Sequence, residues 1–234
     1  MKKYKAVVFD LFETLVTEWG HEKYTKRLMS EDLGVDIDRF ATIWEGQEQD
    51  RYIGSIRFEE SIREICQKCN KPVDEKTLSA VTEKRMKTKS ACFEHINPDV
   101  FTMLDLIKNF GMKTAIVSNC SSEEVEVLKK SKLIHHFDEV VLSFEVHMQK
   151  PDSEIYEEAS KRLGVGLKEC IFVGDGGSNE LEGARNVGMK AVQAKWYTNQ
   201  FPKKRGNIEG FVVAENPLDI IEVLKDEQER KYKT

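Results

Sequence analysis

Four short stretches of this chain carry side chains that could do chemistry together. Asp10 ends the apolar run at residues 5–9 and is followed, four positions on, by Thr14. Ser118 and Asn119 end a second apolar run, Lys150 stands before Pro151, and Asp175 follows Gly174 at the end of a third run. Two carboxylates, a hydroxyl and an ammonium brought to one place would bind a divalent cation and a phosphate at once. Carboxylates hold a hard ion such as Mg2+, while Lys, Ser and backbone N–H groups hold the anion. Each residue also has a plainer role open to it. Asp10 can end a strand and cap a turn. Ser118 and Asn119 can cap a following helix. Lys150 can be a solvated lysine, and residues 174–177 a flexible turn.

Whether these groups meet depends on the elements that carry them. Residues 5–9, 113–118, 139–143, 170–174, 191–194 and 210–213 are short runs rich in β-branched and apolar residues and read as strands. Helical patterns follow at 99–110, 122–130, 153–163, 180–187 and 218–229, with Gly111, Gly164 and Gly188 closing three of them. Repeated βα units on short connections predict a parallel sheet with helices on both faces. In such a sheet the working residues gather beyond the carboxyl ends of the strands. All four stretches fall there, Lys150 after a short helical or loop segment. Residues 16–93 differ in character. They are heavily charged, helical at 22–33, 38–52, 58–70 and 74–90, and punctuated by Gly34, Gly54 and Pro72. The expected organisation is α/β: a Rossmann-like parallel-sheet core formed by 1–15 and 94–234, with an inserted helical-bundle cap domain at 16–93. No internal repeat or low-complexity segment interrupts it. The charged tail at 225–234 is expected to end a solvated helix or fray.

In this order and setting, Asp10-x-x-x-Thr14, Ser118-Asn119, Lys150-Pro151 and Gly174-Asp175 resemble the four motifs of the haloacid dehalogenase-like hydrolase superfamily. The resemblance runs over the whole chain, and residues 16–93 look like the cap this family inserts after its first motif. It implies a hydrolase in which Asp10 is the nucleophile and forms an aspartyl intermediate. Thr14 and Ser118 would hydrogen-bond the phosphoryl group or the nucleophile. Lys150 would balance charge and orient Asp10. Asp175 would share a Mg2+ with Asp10 and the backbone carbonyl of Phe12. Asn119 and Glu13 are candidate substrate contacts. Glu180 stands where many family members carry a second carboxylate of the fourth motif. It either holds a metal-bound water or places favourable charge at a helix start.

The resemblance breaks at Phe12. Phosphatases of this family carry Asp there, which protonates the leaving oxygen and then activates water. A phenyl ring does neither. The dehalogenase branch has an aromatic residue at this position, since a halide leaves without a proton. Against that branch stands Gly174-Asp175, which the metal-free dehalogenases do not keep. Asp175 beside Asp10 would be costly without a cation, because close carboxylates repel. The expected function is therefore Mg2+-dependent phosphohydrolysis of a small phosphorylated metabolite through an aspartyl-phosphate on Asp10, without the usual acid/base Asp. The alternatives are 2-haloacid dehalogenation by attack of Asp10, and a phosphate- or partner-binding protein without effective turnover. Glu13 is a candidate substitute acid or a turn carboxylate. Dehalogenases use a cap arginine. Arg27, Arg39, Arg51 and Arg57 are available, each reading first as a solvated helix-face charge. Of Trp19, Tyr24, Trp44, Tyr52 and Phe58, one or two are expected to line the substrate pocket and the rest to form cap core.

Composition narrows the partners. The 234 residues hold 41 acidic against 36 basic side chains, a formal charge of −5, which argues against nonspecific nucleic-acid binding. No apolar run approaches the ~20 residues of a membrane helix. The basic start is followed by an apolar run cut at Asp10, too short for a signal peptide. Cys66, Cys69, Cys92, Cys120 and Cys170 are odd in number and scattered, so they form no disulfide framework. Cys66-x-x-Cys69 lies in a helical stretch with no second ligand pair, which favours reduced thiols over zinc or redox work. His21, His95, His135, His136 and His147 show no ligand spacing. The expected protein is cytoplasmic, a monomer or homodimer, with a small-molecule substrate and neither nucleic acid nor membrane as partner.

Overall fold

The computed structural model describes residues 3–201 and 206–229. Residues 230–234 of the charged tail thus lie outside the described residues. Strands β1 (Ala6–Phe9), β2 (Lys113–Ser118), β3 (Glu139–Leu142), β4 (Cys170–Gly174), β5 (Lys190–Ala194) and β6 (Val212–Ala214) form one six-stranded sheet. Its order is β3-β2-β1-β4-β5-β6, and every neighbouring pair is parallel. The chain fills the sheet outward from β1 to β3, then returns to the other side of β1 with β4. That reversal opens a crevice beyond the carboxyl ends of β1 and β4, where parallel sheets place ligands.

Between β1 and β2 run helices α1 (Lys26–Leu33), α2 (Ile37–Gly46), α3 (Glu48–Tyr52), α4 (Phe58–Lys68), α5 (Glu75–Ala91) and α6 (Pro98–Asn109). After β2 come α7 (Ser122–Lys130), then α8 (Ser143–Val146) and α9 (Ser153–Leu163) after β3, α10 (Glu180–Asn186) after β4, and α11 (Asp219–Glu229). Period-2 alternation divides the strands between two cores. Val7 and Phe9 point with Ile116, Ile171 and Val192 toward α6, α7 and α11, where they meet Met103, Leu104, Leu128, Ile220 and Leu224. Ala6 and Val8 point the other way with Val117 and Phe172, toward Ile155, Tyr156 and Leu163 of α9 and Leu181 of α10. Both faces are covered, which is why the strands are apolar on consecutive positions.

Helices α1, α2, α4 and α5 bury a third cluster of their own, including Met29, Leu33, Phe40, Phe58, Ile62, Ile65, Leu78 and Val81. Two boundaries here differ from the sequence expectation. Thr25 accepts a hydrogen bond from the Leu28 N–H at 3.3 Å, so α1 begins at Lys26 rather than at 22. The expected helix 38–52 is two helices, broken at Gln47. The side chain of Gln47 is buried, accepts from the Ser61 hydroxyl at 2.8 Å and donates to Glu64 at 2.8 Å. These bonds fix the turn after Gly46 and fold α3 back. Phe40 is fully buried and stacks on Trp44 with ring centroids 5.8 Å apart. Phe40→Ala is expected to destabilise this helical segment by about 3–5 kcal/mol, read as a lower urea midpoint in circular dichroism. A change below about 1 kcal/mol would mean that this cluster contributes little to holding the segment folded.

Candidate active site

The loops that follow β1, β2, β3 and β4 are tied to one another by backbone groups. The Asp10 N–H donates to the Val173 carbonyl at 2.9 Å, joining the end of β1 to β4 across the crevice. Asn119, just past β2, clamps the backbone of Lys150: its Nδ2 donates to the Lys150 carbonyl at 2.9 Å, and its Oδ1 accepts from the Lys150 N–H at 2.8 Å. The Ser143 hydroxyl accepts from the Cys120 N–H at 2.9 Å, which is why β3 stops at Leu142 and Ser143 opens α8. Asp175 accepts from the Gly177 N–H at 3.1 Å, and its carbonyl accepts from Gln193 at 3.2 Å. Four loops from distant parts of the chain thus present their side chains in fixed positions.

These side chains meet in a buried cluster. Lys150 Nζ is ion-paired to Asp10 Oδ1 and to Glu180 Oε2, with all three side chains at most 9% exposed. Glu180 opens α10, and its other oxygen accepts from the Gly176 N–H at 3.0 Å. Gly174 leaves room for this: a Cβ there would lie 2.2 Å from Glu180 Oε1. Burial alone would pull the Lys150 ammonium down, but Asp10 and Glu180 outweigh it and hold its pKa above the ordinary lysine value. Burial, and then the Asp10 charge, push the Glu180 carboxyl up to about 8. Oxygen atoms of Asp10, Asp175 and Glu180 lie within 4.8 Å of one another. Three buried carboxylates at that range repel when ionised. An all-oxygen donor set of this kind fits a hard divalent cation.

A cavity of about 280 Å3 opens over the cluster. Asp10, Phe12, Glu13, Asn119, Lys150, Asp175, Gly177, Ser178 and Glu180 line it from the sheet side, and Glu18, Trp19, Tyr52, Lys89 and Glu124 line the rest of it. Glu13 holds a left-handed backbone with φ 60°, uncommon for any residue but glycine. Its carboxylate accepts from the Thr17 hydroxyl and, at 3.0 Å, from the Glu18 N–H. Burial pushes that carboxyl up to about 7 despite both bonds. Thr14 and Ser118 are buried and do not line the cavity. Thr14 donates to Asp10 Oδ2 at 3.3 Å and so steadies the carboxylate, while Ser118 makes only a 3.4 Å contact to the Asn119 carbonyl. Asn119 is first of all the holder of Lys150, although its amide keeps one more N–H for a substrate oxygen.

Of the five aromatic candidates, Trp19 and Tyr52 line the cavity. Trp44 and Phe58 pack edge to face at 5.9 Å among the helices, and the Tyr24 hydroxyl donates to Asp32 at 2.6 Å. None of Arg27, Arg39, Arg51 and Arg57 lines the cavity. Arg51 is no solvated helix-face charge either. It is buried, donates to the Trp44 carbonyl at 2.8 Å and lies 3.6 Å over the Trp44 ring. No histidine lines the cavity. Cys66 and Cys69 are free thiols, and among the described residues the one cluster arranged for a metal ion is Asp10, Asp175 and Glu180.

Sequence reasoning missed Glu18, Lys89 and Glu124. A signal was present in α5. Its inward stripe runs Leu78, Val81 and Lys89, with the half-buried Arg85 between them, at helical spacing. Two cations continuing an apolar stripe must find anions across the interface.

A model of the haloacid dehalogenase-like hydrolases matches residues 4–188. The glyceraldehyde 3-phosphate phosphatase of Methanopyrus kandleri is 27% identical over 95% of this chain and 97% of its own length. A 2-haloacid dehalogenase from Pseudomonas syringae superposes with a TM-score of 0.69 at 19% identity, over 95% of this chain and 99% of that one. A HAD family enzyme from Bacteroides thetaiotaomicron, crystallised as its magnesium complex, gives a TM-score of 0.63 at 20% identity, over 82% of this chain and 93% of that one. These two structural likenesses establish the fold alone.

Proposed function

We propose that this chain, which belongs to the haloacid dehalogenase-like hydrolase family, is a Mg2+-dependent phosphohydrolase acting on a small phosphorylated metabolite through an aspartyl-phosphate on Asp10. One observation carries this reading: the buried convergence of Asp10, Asp175 and Glu180 on one crevice, with Lys150 between Asp10 and Glu180. The phosphatase activity named for the Methanopyrus relative supports it. Asp10 and Asp175, with the Phe12 carbonyl and with Glu180 behind them, would hold the Mg2+. When bound, the ion screens carboxylate from phosphate and stabilises charge on the transferring group.

The chain's own residues do the rest. Lys150 takes one oxygen of Asp10, and Thr14 the other, so the carboxylate presents a fixed lone pair toward the cavity. Asn119 keeps Lys150 in register by its backbone. Helices α1–α5 would serve as the cap domain. Through Trp19, Tyr52 and Lys89, the segment between β1 and α6 forms part of the cavity wall. A cavity of about 280 Å3 suits a small molecule.

The test is hydrolysis of an aryl phosphate and of a 2-chloro acid, each with Mg2+ and with EDTA. Phosphate release with Mg2+ and none with EDTA is the expected result. Asp175→Asn should lower Mg2+ affinity by at least ~10-fold in calorimetry, since loss of even a supporting group around a metal costs that much. Chloride release indifferent to EDTA would establish dehalogenation instead. Mg2+ binding with no turnover of either substrate would mark a binding protein.

A further inference from the structure

Lys89 stands in the last turn of α5 with its side chain 7% exposed. Two carboxylates hold its ammonium, Glu18 from the segment after β1 and Glu124 from the first turn of α7. Glu124 is itself fixed, accepting from the Ser121 N–H at 2.9 Å. One turn earlier, Arg85 is paired to Glu123 at 3.1 Å and to Glu124 at 3.8 Å. Burying an ammonium is costly, and a latch between α5 and α7 is already supplied by Arg85. What sets Lys89 apart is its place. Its Nζ lies 4.9 Å from the centre of the Phe12 ring, and its side chain lines the cavity over Asp10. An ammonium has three N–H donors. Glu18 and Glu124 take two, which leaves the third for the cavity.

We infer that Lys89 is a catalytic residue whose ammonium hydrogen-bonds the oxygen that leaves phosphorus, above the Phe12 ring. The inference rests on the phosphohydrolase reading. In the step concerned, an Asp10 oxygen gives its electron pair to phosphorus. The bond from phosphorus to the organic oxygen breaks, and that oxygen keeps the pair. That oxygen takes a proton from the Lys89 ammonium and leaves as the alcohol, and the water that later hydrolyses the aspartyl-phosphate returns a proton to the amine. Burial opposes the charged amine, but Glu124 and Glu18 overcome it and keep its pKa above the ordinary lysine value.

Phosphomonoesters with leaving groups from nitrophenol to a primary alcohol provide the test, at saturating Mg2+. Lys89→Met should lose about 10²–10³-fold in kcat/KM on the alkyl ester, the usual effect of removing one donor from a developing oxyanion. On the nitrophenyl ester, whose leaving oxygen needs little help, the loss should stay below ~10-fold. The plot of log kcat/KM against leaving-group pKa therefore steepens. Arg85→Met weakens the same ion-pair cluster without touching the cavity and should keep the wild-type slope. If Lys89→Met does not fold, Lys89→Gln, which keeps polar contacts but no charge, must show the steeper slope. Equal losses on all esters, no loss, or a slope steepened equally by Arg85→Met would overturn the inference and leave the phosphohydrolase reading standing. A wild-type protein that hydrolyses none of the esters would overturn both.

Discussion

Asp10→Asn should reduce phosphate release by at least ~10⁴-fold, because the amide cannot take the phosphoryl group and no other residue replaces a nucleophile. The geometry makes this substitution informative. Asp10 is buried, held by Lys150 on one oxygen and by Thr14 on the other. Asn preserves the shape, and Lys150 keeps Glu180 as its partner, so the fold should survive with unchanged far-ultraviolet circular dichroism. Mg2+ affinity falls as well, since Asp10 is one of the carboxylates proposed to hold the ion. Asp10→Glu separates the two effects. It keeps a carboxylate for the metal but moves the attacking oxygen by one methylene, and should lose about as much activity while binding Mg2+. If Asp10→Glu were nearly as active as the wild type, Asp10 would be a metal holder and the nucleophile would lie elsewhere. Single turnover in 18O-labelled water adds a second readout. Hydrolysis of an aspartyl-phosphate by attack at phosphorus puts the label in phosphate, whereas hydrolysis of an alkyl ester on Asp10 at its carbonyl carbon leaves it in Asp10.

The residues behind that prediction were legible in the sequence because Asp10 and Thr14 follow the end of β1 directly and Lys150 follows β3 after one short helix. Runs such as 113–118 and 170–174 are apolar and β-branched and bounded by turn residues, so the structure keeps their limits. A parallel sheet then dictates that the residues just past each strand lie along one edge. Local pattern carries no distances, however. Glu180 was readable as charge at a helix start, but its pairing with Lys150 depends on β4 lying beside β1 and on Gly174 leaving room for the carboxylate. Thr14 and Ser118 were expected at the phosphoryl group or the nucleophile. Thr14 does hydrogen-bond the Asp10 carboxylate, whereas Ser118 makes its contact with the Asn119 carbonyl, a difference of side-chain direction that spacing does not encode. Lys89 was missed for another reason, although its helical spacing with Leu78 and Val81 was a signal. In α5 charges surround the helix, and which lysine is buried is decided by Glu18 and Glu124 on other elements. The break at Gln47 has the same origin, since its partners Ser61 and Glu64 belong to α4.

Lys150→Met should combine a large loss of activity with a loss of stability that grows with pH. The variant keeps the length of the side chain and removes the ammonium between Asp10 and Glu180. Breaking a buried ion pair by removing one partner costs about 3–5 kcal/mol, because the remaining charge is left without compensation. A carboxylate can escape that cost by taking a proton, and here the sign is set by Glu180. Its folded pKa is already raised from 4.5 to about 8. A group raised on folding contributes stability that is complete below its unfolded value and is lost as pH rises through its folded value. Glu13, raised to about 7, acts in the same direction. In EDTA, the wild-type protein should therefore lose stability between pH 5 and 9, by up to about 1.4 kcal/mol per pH unit for each such group. Mg2+ competes with protons for the same oxygens, so it should stabilise more at pH 8.5 than at pH 5.5. In Lys150→Met the protonated Glu180 is tolerated at pH 5.5 and the full cost appears at pH 8.5. Urea midpoints at the two pH values, in EDTA, measure the difference. An equal cost at both would mean that Lys150 holds the loops by packing and by its Asn119 clamp, and that its charge does not set the balance of the site.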